Sequence, residues 1–129
     1  MNNKLICPVC DFDHMHILGF IEVRDDDDYQ TKEVIVNNQY RIPVKTRYNY
    51  RSQGNIHLLF ICEDGHFSIK SFDGHKGVVV IDENILMDNL SSYLNGVYRE
   101  NQASWAFNFE LLGHIENFFL KVEQDKSLY

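Results

Sequence analysis

An α+β fold is predicted by a change of hydrophobic pattern: strand-like segments follow one another from about residue 14 to residue 82, with a clean period of two over residues 40–51, and a helical period then runs to residue 122. Composition is the second observation. With 129 residues, 44% hydrophobic and 13% aromatic, and only 2 prolines, the chain can bury a core without disulfides and fits one domain, 1–129, in two parts, a β part over 1–82 and a helical part over 83–129.

The first strand is expected over His14 to Val23, ending in the acidic loop Asp25-Asp26-Asp27-Asp28, which lacks the spaced ligands and glycine of a calcium loop. Lys32 to Val36 reads as a short strand and Asn37-Asn38 as a turn. Next, Tyr40, Ile42, Val44, Thr46, Tyr48 and Tyr50 alternate with Arg41, Pro43, Lys45, Arg47, Asn49 and Arg51, so one face packs and the other meets water. Pro43 removes a ladder donor, which places this strand at a sheet edge. The turn Ser52-Gln53-Gly54-Asn55 predicts a hairpin between it and the apolar strand Ile56 to Cys62. Phe67 to Phe72 and Gly77 to Ile81 add two strands, with Asp73-Gly74 as the hairpin signal between them.

Beyond Asp82 the period changes. Leu86, Leu90, Tyr93, Leu94 and Val97 mark one amphipathic helix, with Asp82 or Asn84 as cap, and a break from Gly96 to Ala103 follows. Leu111, Ile115, Phe118, Phe119 and Val122 mark a second, capped by Asn108 and with Lys121 near its end. Aromatic residues at such spacing, Phe118 and Phe119 among them, are expected in the core, or in a homodimer interface if one domain does not bury them all.

The longest apolar runs, Leu58 to Cys62 and Val78 to Ile81, are far shorter than the roughly 20 residues of a membrane span, and Met1-Asn2-Asn3-Lys4 does not open an export signal. A cytoplasmic protein without a membrane partner is expected. The net charge of −7 argues against attraction to nucleic acid over the whole surface.

The 3 cysteines, Cys7, Cys10 and Cys62, cannot form a complete set of internal disulfides, which leaves metal or redox chemistry. Cys7-Pro8-Val9-Cys10 is a Cys-x2-Cys knuckle, and Cys62-Glu63-Asp64-Gly65-His66 offers a Cys-x3-His pair. Together they make Cys7, Cys10, Cys62 and His66 candidate ligands of one structural Zn2+, which accepts tetrahedral coordination by three sulfurs and one nitrogen. Gly65 would let the second knuckle turn with positive φ. His14, His16, His57 or His75 are alternatives for the fourth position, with Asp64 poorer. A redox pair would open a helix, whereas Asp11-Phe12-Asp13-His14 follows here, and Cys62 alone is compatible with a plain core cysteine.

The Cys-Pro-x-Cys pair, the segment Ile56 to His66 and Gly74-His75-Lys76-Gly77 resemble small zinc-ribbon proteins encoded by phages and prophages, mostly of unknown function, over residues 5–81. The resemblance implies a zinc ribbon expanded into an antiparallel sheet, a mobile-element origin, and metal ligands at Cys7, Cys10 and Cys62. At the fourth position this sequence has His66 where many of those proteins carry a further cysteine.

Three functions follow as expectations. The first is a non-catalytic zinc-binding module that engages a host or phage protein, with an acidic body suited to the basic surface of a nucleic-acid-handling or defence protein. The second is nucleic-acid binding through Arg41, Lys45, Arg47 and Arg51, which give residues 40–51 a charge of +4 against −11 for the rest. Those cations also serve a plain solvated edge. The third is a zinc hydrolase built on His14 and His16, disfavoured because no matching later motif supplies further ligands, a base and an open coordination position. No enzyme is expected.

Overall fold

In the computed structural model, residues 4–25, 32–44, 56–75, 77–99 and 107–124 are described. The strands are β1 (Met15–Asp25), β2 (Lys32–Val36), β3 (Tyr40–Val44), β4 (Ile56–Cys62), β5 (Phe67–His75) and β6 (Val78–Asp82), followed by the helices α1 (Ile85–Tyr98) and α2 (Phe109–Gln124). All strand pairs are antiparallel, in one open sheet of order β3-β2-β1-β4-β5-β6. The fold is α+β.

Strand order departs from the sequence reading at one place. β3 does not form a hairpin with β4; it folds back on β2, with Val34 opposite Ile42, while β4 lies between β1 and β5. Pro43 accounts for β3 having one partner only, because pairing with both β2 and β4 would have put a residue lacking an N–H inside the sheet. β3 is therefore the edge strand, with Ile42 and Val44 buried and Arg41 and Pro43 exposed. β4, apolar on both faces, takes the central position and buries all but its first residues. Lys45, Arg47 and Arg51, with the rest of the predicted twelve-residue alternation, lie outside the described residues.

Two local readings also move. The turn between β5 and β6 is not at Asp73-Gly74, which pair with Val80 and Val79; it falls at Gly77, whose φ of 81° supplies the left-handed residue the turn needs. Gly96 does not break α1, which continues to Tyr98 and stops at Arg99, where the N–H returns to the Asn95 carbonyl at 3.1 Å. Val97 is exposed, and Met87 takes a place in the buried stripe.

Asn37 and Asn38 both adopt positive φ in the β2–β3 turn, as short polar side chains permit. Asn37 also closes the β1–β2 pairing at the middle of β1: its side chain accepts the Phe20 N–H at 2.8 Å and its own N–H donates to the Phe20 carbonyl at 2.8 Å. β1 carries a bulge between Ile17 and Gly19, and a Cβ on Gly19 would lie 2.3 Å from Asn37 Oδ1, so only glycine lets this amide approach.

Both helices cover one sheet face. Ile21, Val34, Ile42, Leu59, Ile61 and Phe67 from the strands join Leu90, Leu94, Leu111, Ile115, Phe118 and Phe119 from the helices in one continuous core. Asn84 caps α1 through the Met87 N–H at 3.0 Å, and Asn108 caps α2 through the Leu111 N–H at 3.0 Å.

Asn95 ties α1 to the sheet. Its Oδ1 accepts the Phe67 N–H at 2.6 Å and its Nδ2 donates to the Phe67 carbonyl at 2.9 Å. β6 pairs only from Ser71 onward, so the helix amide occupies the stretch of β5 edge that a strand leaves open. Asn95→Ala gains about 0.5 kcal/mol of helix propensity but strands two backbone groups, one of them buried, each at about 1–3 kcal/mol. A net loss of about 2 kcal/mol is expected in chemical denaturation. A loss below about 0.5 kcal/mol would mean that water replaces the amide at no cost.

Candidate metal centre

The first knuckle is built by local hydrogen bonds. The Cys7 N–H donates to the Phe12 carbonyl and the Asp11 N–H to the Cys7 carbonyl, each at 2.9 Å, and Asp11 closes the loop with a φ of 60°. The second knuckle sits in the β4–β5 turn. There the Gly65 N–H meets the Cys62 carbonyl at 2.9 Å, the Cys62 N–H meets the His66 carbonyl at 3.0 Å, and Gly65 has the positive φ, 85°, that its position in the sequence predicts.

The two knuckles meet. The ligand atoms of Cys7, Cys10, Cys62 and His66 all lie within 4.8 Å of one another, with Cys10 Sγ 3.7 Å from Cys62 Sγ and Cys62 Sγ 3.4 Å from His66 Nδ1. Zinc–sulfur bonds of about 2.3 Å and zinc–nitrogen bonds of about 2.0 Å give tetrahedral edges of about 3.8 Å between sulfurs and about 3.5 Å between sulfur and nitrogen. The donor set and its spacing thus fit one metal ion. Cys7, Cys62 and His66 are buried and Cys10 is half-buried.

Backbone amides approach two of the sulfurs, the Val9 N–H lying 3.4 Å from Cys7 Sγ and the His66 N–H 3.3 Å from Cys62 Sγ. Loss of water, and then the neighbouring Cys62 and Cys7 sulfurs, push the Cys10 thiol up to about 12. Three thiolates this close require a cation between them.

Three other candidate histidines, His14, His16 and His57, are placed elsewhere, and the His75 side chain lies outside what is described. His14 Nδ1 lies 2.7 Å from Asp13, and His16 Nε2 lies 3.0 Å from Glu63, both on the surface. Lys4, and then His14, hold the Asp13 carboxyl below its usual range. His57 is buried and bonded to Ser71 Oγ at 2.7 Å across the β4–β5 pair. No second cluster of such ligands occurs among the described residues.

Residues 7–10 lead through an extended segment into β1 rather than into a helix, so the setting of a redox Cys-x2-Cys is absent among the described residues. Arg41, the one member of the basic strand that is described, lies on the exposed edge with its guanidinium 2.6 Å from Glu33. A cavity of about 500 Å³ adjoins the first knuckle, lined by Ile6, Pro8, Phe60 and Ile81 with Lys70, Glu83 and Asp88 among its polar residues. Burial, and then Glu83, raise the Asp88 carboxyl above its usual range.

Asn95 is the positioning residue that the sequence pattern did not single out. It holds the backbone of Phe67, the residue after His66, while the Phe67 ring packs on Tyr98 at 5.3 Å between centroids. Its one signal is a poor helix former in the middle of an amphipathic helix. No family model, no curated protein and no solved structure matches the chain. Among the described residues no helix is long and apolar enough to cross a membrane.

Proposed function

We propose that the protein is a non-catalytic, zinc-stabilised binding module. The observation that carries this reading is the donor set: four protein ligands in one mostly buried cluster leave no coordination position for water or substrate. The metal's work is then structural, pinning the N-terminal segment to the turn between the central strands. The sequence resemblance supports a phage or prophage origin, and the net charge of −7 suits a basic protein surface.

Two measurements test it. Elemental analysis is expected to give one zinc per chain for wild type and a clear loss for His66→Ala, whereas full retention would move the fourth ligand elsewhere. Metal-loaded protein immobilised against a bacterial lysate is expected to retain a basic protein, released by salt and lost after chelation. Retention of nucleic acid instead, reduced by charge reversal at Arg47 and Arg51, would favour the basic strand and overturn this reading.

A further inference from the structure

The sheet has two edges, and they are built differently. The β3 edge carries Pro43, which has no N–H to offer, and the exposed, charged Arg41; both discourage a further strand. The β6 edge has neither device. Val78, Val79, Val80 and Ile81 are 59, 71, 45 and 67% exposed, with no charge or proline among them. Successive side chains point to opposite faces, so apolar surface is presented on both sides of the sheet. A helix laid on one face would leave the other wet, whereas a neighbouring apolar strand covers both and pairs the backbone as well.

We propose that β6 pairs antiparallel with β6 of a second copy, joining two six-stranded sheets across a two-fold axis. The charge order along the chain selects this occupant. Lys76 precedes the strand and Asp82-Glu83 ends it, so antiparallel pairing of two copies sets opposite charges together at both ends, while parallel pairing sets like against like. The four apolar residues are all β-branched, so each meets a β-branched partner in the self-pair. The guarded β3 edges then end the assembly at two copies. Five residues per strand make a small interface, below the about 1,200 Å² of standard complexes, and the dimer forms with a dissociation constant on the order of micromolar. None of this rests on the identity of the metal.

Sedimentation equilibrium on the metal-loaded full chain, over a concentration series, tests the proposal. Wild type is expected to pass from monomer to dimer and no further. The double variant Val79→Lys/Val80→Lys, checked for wild-type circular dichroism, is expected to weaken the dimer by about tenfold or more, because the register that sets position 76 opposite position 83 puts position 79 opposite position 80 of the second copy, so that each lysine meets another across the axis. Should that variant fail to fold, Lys76→Glu serves instead: it makes both ends of the strand acidic without touching the apolar residues, and a loss of about tenfold is again expected. Amide exchange in β6 slows as concentration rises if the strand is the interface. A monomer at every concentration, a dimer unmoved by these variants, or growth beyond two copies would overturn the proposal.

Discussion

Chelating the metal, or replacing Cys62 by Ser, is expected to free residues 4–14 from the sheet and to lower the melting temperature of the whole domain. That segment contains no strand, and its own bonds, such as Cys7 N–H to the Phe12 carbonyl, close its knuckle without reaching another element. A backbone contact from the Glu63 N–H to the His14 carbonyl at 3.0 Å ties its last residue to the second knuckle, worth about 1 kcal/mol. Structural zinc contributes about 10–16 kcal/mol in small fingers, comparable with the whole 5–15 kcal/mol stability of an ordinary domain. Metal loss therefore outweighs any single contact in this region. The helices and the β1, β2 and β3 face share a core that includes none of the four ligands, so partial structure is expected to survive under them. Amide exchange with and without chelator separates the outcomes: fast exchange over residues 4–14 and the turn at 63–66, with slower exchange in α1 and α2, is the expected pattern. Unchanged exchange and melting would show that the thiols hold no structural metal.

Stability is expected to fall as pH drops from about 6.5 to about 4 because of one buried histidine. Burial lowers the His57 imidazole to about 4 from its ordinary 6.5. In that window the unfolded chain binds a proton that the folded chain refuses, so stability is full above it and is lost as acid titrates the unfolded side chain. The difference corresponds to about 3 kcal/mol. Acid also protonates metal-binding thiols, so wild type is compared with His57→Gln, which keeps a polar partner for Ser71 but does not titrate. Denaturation midpoints at several pH values are expected to converge as pH falls toward 4, with the wild-type curve the steeper. Parallel curves would show that His57 accepts a proton without cost.

Much of the architecture is legible in the residues because it is set by near neighbours. Imperfect alternation over residues 14–23 and the apolar run over 56–62 place strands, Asn84 and Asn108 stand where caps are needed, and Leu111, Ile115 and Phe118 mark the buried side of α2. The four candidate ligands are legible because knuckle spacing is a local property. Strand order is not, since a turn signal such as Ser52-Gln53-Gly54-Asn55 says that the chain reverses but not which strand it rejoins. Pro43 confines β3 to a single partner at the sheet edge, but it does not say whether that partner is β2 or β4. The Asn95 and Asn37 amides escaped for a different reason: each satisfies backbone groups of a distant segment, Phe67 and Phe20, and no local pattern encodes such a contact. Likewise Gly77 and Asp73-Gly74 offer rival turn sites, and the extended pairing of β5 with β6 decides between them.

X-ray absorption at the zinc edge on the metal-loaded protein reads the coordination shell itself. Three sulfur neighbours at about 2.3 Å and one nitrogen at about 2.0 Å, with no oxygen, are expected. A bound water, or fewer than three sulfurs, would contradict a closed structural site at Cys7, Cys10, Cys62 and His66 and would reopen the case for catalysis.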